Sequence, residues 1–363
     1  MKNKPFILLV LLWPFSVVYG IVVYVRNWLF DRGILPSEEF DLPVISVGNI
    51  TVGGTGKTPF TEYLIRLLKS DQPMGVLSRG YKRKTSGFKV LSMKDTPSDV
   101  GDEPYQMKHK FPDVTVAVDA NRRRGIRNMM KLEKGKPELI VLDDAFQHRY
   151  VTPSISILLI DYNRNILEDH LLPMGQMREH CCSMRRADII VVTKCPDSVT
   201  PMDMRFMRKN LNPYPYQSLW FTRLSYGEMA PLFPHKQKKK HAHLTINDMK
   251  ECSVLALTGI ASPAPFITYL EQNCAKVEGC EFRDHHSYTK GDMDRIVKAF
   301  DQLEGTRKYI ITTEKDAVRL MSCDIFPEAL KQKIYYIPLS ISFVREEATQ
   351  FEEHLRKLIR RKK

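Results

Sequence analysis

The sequence predicts an α/β fold: a doubly wound, mainly parallel sheet, a second and smaller α/β unit, and an apolar helix ahead of both. Three observations carry that expectation. Apolar runs at 44–47, 74–77, 114–118, 139–142, 155–160 and 189–192 are separated in several places by helical patterns, and a parallel sheet with helices on both faces buries such runs. The alternation breaks down around Tyr214 to His243, then resumes at 254–257, 309–311 and 334–337. Residues Pro5 to Val25 carry no charged side chain.

That N-terminal run is, at about 20 residues, long enough to cross a hydrocarbon core. Trp13, Tyr19, Tyr24 and Trp28 suit a lipid interface, and Lys2, Lys4, Arg26 and Arg32 flank the run on both sides, so charge picks no orientation. Pro14 and Gly20 permit a helix that dips into one leaflet. The expectation for residues 1–30 is therefore a monotopic anchor, with a simple span as its rival. A cleaved signal peptide fits poorly, because a phosphate-binding pattern follows within 30 residues.

That pattern is the strand Val44 to Val47, then Gly48-Asn49-Ile50-Thr51-Val52-Gly53-Gly54-Thr55-Gly56-Lys57-Thr58-Pro59, then an amphipathic helix through Phe60, Tyr63, Leu64, Leu67 and Leu68. Glycines before a helix N-terminus let backbone N–H groups converge on phosphate oxygens. In such loops the lysine reaches the β- and γ-phosphates and the hydroxyl holds Mg²⁺, so Lys57 and Thr58 take those places and the large unit reads as P-loop NTPase-like. The pattern G-x-x-x-x-G-K-[ST] asks for glycine where this chain has Thr51.

Strands of this kind present ligands at their carboxyl ends. Leu139 to Leu142 ends in Asp143-Asp144, the arrangement in which a carboxylate binds Mg²⁺ directly or through water. Gly101-Asp102-Glu103-Pro104 opens a helical segment with two carboxylates, able to supply a base and a metal contact or simply to cap the helix. Asp284-His285-His286 follows an apolar strand end, where an imidazole could tune a carboxylate. Basic clusters at Arg79 with Lys82 to Lys84, at Arg122 to Arg124 with Arg127, and at Arg178, Arg185 and Arg186 look like anion recognition.

Composition bounds the rest. A chain of 363 residues suggests two globular units, and the charge of +13 points to a polyanion: nucleic acid, an anionic membrane or a phosphorylated substrate. No nucleic-acid recognition motif accompanies the charge. Seven cysteines, an adjacent Cys181-Cys182 and no C-x-x-C pair argue against a disulfide framework or zinc site and favour a reducing cytosol. Prolines at 213, 215, 231 and 234 and the basic run 236–240 mark a linker at 216–250, so the expected units are 31–215 and 251–363.

Together with Ser78-Arg79-Gly80-Tyr81, Asp143-Asp144-Ala145-Phe146-Gln147-His148, Leu171-Leu172-Pro173-Met174-Gly175, Arg178-Glu179, Phe282-Arg283-Asp284-His285 and Thr313-Glu314-Lys315-Asp316, these motifs closely resemble the tetraacyldisaccharide 4′-kinase family. The resemblance spans the chain from the apolar segment to the terminal helix. It implies transfer of the ATP γ-phosphate to the 4′-hydroxyl of an acylated glucosamine disaccharide 1-phosphate, forming lipid IV-A on the cytoplasmic face of the inner membrane. The partners implied are that substrate and inner-membrane lipid, with no nucleic acid and a monomeric enzyme.

By the same resemblance, Thr51, Val52, Gly53, Gly54, Thr55, Gly56, Lys57 and Thr58 would bind ATP, and Thr58, Glu103, Asp143 and Asp144 would serve Mg²⁺. Asp102 would be the base, paired with His285, and Lys57 would act in catalysis. Arg79, Asn121, Arg122, Gln147, His148 and Arg178 would bind substrate. Ala145 replaces a usual glycine, and Gln176-Met177 replace Pro-Leu. The rival reading is a membrane-associated P-loop ATPase or GTPase switch, which gives Asp102 and His285 no task.

Overall fold

The computed structural model describes residues 6–233, 244–284, 286, 288–321, 323 and 325–362. Helix α1 (Phe6–Asp31) continues through Pro14. Strand β1 (Val44–Gly48) leads through the glycine turn into α2 (Lys57–Leu68). Next come β2 (Met74–Ser78), the short β3 (Lys89–Val90), α3 (Pro97–Val100) and α4 (Asp102–Lys110). Then β4 (Thr115–Val118), α5 (Arg122–Met130), β5 (Leu139–Leu142), β6 (Ile155–Asp161) and β7 (Ile189–Thr193) precede α6 (Pro201–Leu211) and β8 (Ser218–Tyr226).

The second unit contains β9 (Ala230–Pro231), β10 (Ser253–Thr258), α7 (Ala264–Asn273), β11 (Lys276–Glu281) and α8 (Lys290–Gln302). It ends with β12 (Lys308–Thr313), α9 (Glu314–Met321), α10 (Glu328–Lys331) and β13 (Ile334–Ile337). The chain then returns to the large unit with β14 (Leu339–Phe343) and α11 (Ala348–Arg361).

The large sheet has the order β14-β8-β7-β6-β1-β5-β2-β4-β3 and is parallel except at its two edge pairs, β14 with β8 and β3 with β4. Ile45 and Val47 face one core and Val44 the opposite one, as the twofold alternation of a strand covered on both faces requires. The small sheet, β11-β10-β12-β13-β9, is parallel except for β9.

The division expected at 216–250 and 251–363 differs from this topology. Residues 218–226 form a strand hydrogen-bonded to β7 and β14, within the large sheet. The terminal helix also joins the large unit, because Phe351, Leu355 and Ile359 recur at helical spacing and are buried with Phe60, Leu64 and Val191. The basic run 236–240 and His285 lie outside the described residues.

Candidate active site

Strand β1 is buried throughout and ends at Gly48, where a Cβ would stand 2.6 Å from the Phe146 amide nitrogen. The turn beyond it is braced from behind. Asn49 Nδ2 donates to Thr55 Oγ1 (2.8 Å), Thr193 Oγ1 donates to the Thr55 carbonyl (2.9 Å), and the Val52 amide donates to the Gln176 carbonyl (2.8 Å). Gly53 and Gly56 have φ of 97° and 82°, left-handed values that glycine adopts without strain. Thr51 is buried in an extended bridge to Met177 and has no positive φ, so a side chain is tolerated there. Gly53 and Gly54 face solvent, and Lys57 and Thr58 form the first turn of α2.

The register of β1 against β5, with Ser46 opposite Leu142, sets Asp143-Asp144 beside this turn. Asp143 is buried and accepts hydrogen bonds from Ser78 Oγ (3.2 Å) and Thr61 Oγ1 (3.4 Å). Burial, then repulsion from Asp144, raises its pKa. Burial pushes Asp144 the same way, but Lys57 (3.6 Å) and Arg178 (3.0 Å) outweigh it and hold that carboxyl below the usual range. The positive φ of this turn, 47°, falls on Asp144 and not on Ala145, so the methyl at 145 meets no backbone penalty.

Helix α4 brings the second pair of carboxylates. Asp102 and Glu103 occupy its first turn, where the helix dipole favours negative charge. Glu103 is pushed up to about 7 by burial and by Asp143, with Lys315 and Lys57 opposing. Asp102 Oδ2 accepts from Nε of Arg319 (2.9 Å), and Nη2 stands 2.8 Å from the same oxygen in an ion pair. Lys315 and Arg319 are four residues apart on α9, so one face of a small-unit helix serves two successive carboxylates of the large unit.

This donor set fits a Mg²⁺-nucleotide. Among the described residues no group of three or more His, Cys, Asp or Glu side chains could cage a metal alone. Mg²⁺ instead takes one or two carboxylates together with phosphate oxygens and water. Burial raises both carboxyls, with Asp143 adding to it at Glu103 and Asp144 at Asp143, and a divalent cation would relieve both.

The family model for tetraacyldisaccharide-1-P 4′-kinase matches residues 8–360. The chain belongs to that family. It is 49% identical over 352 residues to the tetraacyldisaccharide 4′-kinase of Phocaeicola vulgatus, covering 96% of this chain and 95% of the relative. The namesake from Parabacteroides distasonis is 48% identical over 345 residues, covering 94% and 92%. The crystal structure of LpxK from Aquifex aeolicus in complex with ATP superposes with a TM-score of 0.73 at 29% identity, covering 97% of this chain and 99% of that one.

Against this kinase-family background the remaining expected residues fall into groups. Arg178 joins Asp144 to Gln147, whose Oε1 it reaches at 3.4 Å, and Gln147 Nε2 donates to the Asn49 carbonyl (2.8 Å). His148 is lowered to about 4 by burial and by Arg122, with Arg79 and Arg26 adding to the effect against Asp144, so its imidazole is neutral at physiological pH. Arg79 is exposed at the end of β2. Asn121 is the N-cap of α5, its side chain accepting from the Arg124 amide at 3.1 Å. Arg122 is buried and donates to the carbonyls of Asp119 and Asp143, behind the carboxylate pair.

Sequence reasoning missed Arg319 and the polar side of α1, and gave Lys315 no role beyond its place in the Thr313-Glu314-Lys315-Asp316 motif. Tyr19 OH donates to the Arg178 carbonyl (2.9 Å), Arg26 Nη2 to the Gln147 carbonyl (2.8 Å), and Asn27 Nδ2 to Glu179 Oε2 (3.0 Å). The four-residue spacing of Lys315 and Arg319 was a signal available in the sequence. Tyr19, expected at a lipid interface, turns its hydroxyl to the body instead, and nothing local marks Asn27.

Proposed function

We propose that this chain transfers the γ-phosphate of ATP to the 4′-hydroxyl of tetraacyldisaccharide 1-phosphate, giving lipid IV-A. The observation that carries the proposal is that the phosphate loop and the acid-bearing helix α4 of the large unit meet α9 of the small unit at the seam between the two, in a chain of this family. Lys57 and the loop amides hold and orient the triphosphate, and Asp102 takes the acceptor hydroxyl proton as the new O–P bond forms. The bond between the γ-phosphorus and the β–γ bridging oxygen breaks, and ADP leaves with that electron pair. Mg²⁺, held by Thr58, Asp143, Asp144 and Glu103, supplies charge neutralisation when bound. Arg79, Asn121, His148 and Arg178 meet the phosphorylated sugar, and all parts of this site come from one chain acting as a monomer.

The same reading sets the enzyme on the cytoplasmic face of the bacterial inner membrane. Helix α1 exposes Ile7, Leu11, Trp13, Phe15, Val18, Val22 and Tyr24, while Ser16, Tyr19, Arg26 and Asn27 bond to loops of the body. The described part of α1 ahead of Ser16, residues 6–15, is about 15 Å long at 1.5 Å per residue, about half of a hydrocarbon core. That supports insertion into one leaflet. A cysteine introduced at position 3 should react from the cytoplasmic side only, and periplasmic labelling would establish a span.

The activity test is purified protein with Mg-ATP and the acylated disaccharide 1-phosphate in detergent, with mass analysis for one added phosphate. ATP hydrolysis without that product at any detergent level would favour a P-loop switch.

A further inference from the structure

We propose that Arg319 is a positioning residue for phosphoryl transfer: its guanidinium, reaching across from the small unit, aims Asp102, so the base is aligned only when the two units are together. This rests on Asp102 serving as the base in the proposed kinase reaction. Arg319 Nε donates to Asp102 Oδ2 at 2.9 Å and Nη2 stands 2.8 Å from the same oxygen, so one edge of the guanidinium holds that oxygen at two points.

Arg319 is itself held. Its Nη1 donates to the Gly259 carbonyl (3.0 Å) and to Asp316 Oδ1 (3.1 Å). Asp316 is fully buried and accepts from the Gly259 amide (2.8 Å) and Thr313 Oγ1 (2.8 Å). Gly259 follows β10 and Thr313 closes β12, two paired strands of the small sheet. A continuous hydrogen-bonded chain therefore runs from the rigid small sheet through Asp316 and Arg319 to a carboxylate of the large unit. With its side chain 8% exposed, Arg319 has a buried setting that a solvated surface charge would not have.

A merely adhesive role is the competing account, and a second interunit contact separates the two. Lys110, at the other end of α4, pairs with Glu314 of α9 and does not touch Asp102. Arg319→Lys keeps the charge but loses the fork. It should lower kcat about 10- to 100-fold, the scale of a small misalignment, while KM and equilibrium affinity for ATP change less than about threefold. Arg319→Ala should lose more and recover part of its kcat with millimolar guanidinium. Lys110→Ala should weaken the interunit contact, seen as a lower melting temperature, with kcat close to wild type and no guanidinium response.

In an Asp102→Asn background, replacing Arg319 should cost little further in kcat, because the group it aims is gone. Wild-type kcat in Arg319→Lys would overturn the proposal. So would an Arg319→Ala enzyme that folds, matches Lys110→Ala in melting temperature and kcat, and ignores guanidinium. An active Asp102→Asn enzyme would overturn the base assignment itself, a result distinct from either.

Discussion

At its N-terminal end helix α4 offers Asp102 to Arg319, and at its C-terminal end Lys110 reaches both Glu62 and Glu314. Both ends obey the helix dipole, acid first and base last, and both grip α9 of the small unit. They differ in what is buried. Asp102 keeps a side chain 20% exposed at the cleft, whereas Glu62 is 1% exposed inside the large unit and also takes Gln106 Nε2 at 2.8 Å. A carboxyl at a solvated edge is open to a substrate hydroxyl, as the proposed reaction requires. One sealed among α2 and α4 mainly determines how firmly those helices hold together, because breaking a buried pair leaves an uncompensated charge. In the proposed reaction the same ion-pair chemistry thus serves transfer at one end and adhesion at the other.

That contrast can be broken at several points. The largest effect is expected at Lys57, which the proposed reaction sets against the triphosphate: Lys57→Ala should lower kcat by about 10²-fold or more, because positioning and electrostatics supply nearly all phosphoryl-transfer catalysis. Steady-state turnover against Mg-ATP checks it, and a loss confined to KM would assign Lys57 to binding alone. At the adhesive end, Lys110→Ala leaves Glu62 and Glu314 without their shared cation and should lower the denaturant midpoint, more at pH 8 than at pH 5 because Glu62 can take up a proton instead. An unchanged midpoint there would remove the adhesive role.

Glu62 also gives a pH signature. Burial first, then Glu314, push its carboxyl from the ordinary 4.5 up to about 7, with Lys110 opposing. A raised carboxyl favours the protonated folded form, so its ionisation costs nothing below 4.5, weakens the fold progressively up to about 7, and imposes a constant penalty above that. Glu62→Gln should therefore melt higher than wild type at pH 8, with the gap closing as pH falls towards 4.5. A gap independent of pH would show that another group titrates. The smallest change tests the anchor: Tyr19→Phe removes one hydrogen bond to the Arg178 carbonyl and should cost about 1 kcal/mol of stability, measured by thermal unfolding in detergent.

How far the sequence reveals these features depends on whether the deciding contacts are local. Strands buried on both faces write themselves as unbroken apolar runs, so Leu139–Leu142 and Ile334–Ile337 are readable to the residue. The phosphate turn and Asp143-Asp144 are readable because glycine spacing and a strand end are local features. Strand β8 hides because prolines 213 and 215 precede a stretch whose burial is only partial, and its partner β14 lies more than a hundred residues away. For the same reason the terminal helix belongs to the large unit although the chain reaches it last.

Arg319 illustrates the other limit. An arginine on a helix reads as solvated charge, and only packing across two units gives it Asp102, Asp316 and Gly259 as partners. Arg122 reads as anion-binding by its cluster, yet its guanidinium turns inward to two carbonyls. Both orientations are tertiary facts.

The measurement that bears most directly on the account is single-turnover transfer by Asp102→Asn, with labelled Mg-ATP bound in excess of the acylated disaccharide 1-phosphate. With Asp102 as the base, the rate should fall about 10²- to 10⁴-fold below wild type, the span of general-base catalysis, at unchanged ATP affinity. A near-wild-type rate would contradict it and move the base away from the catalytic end of α4.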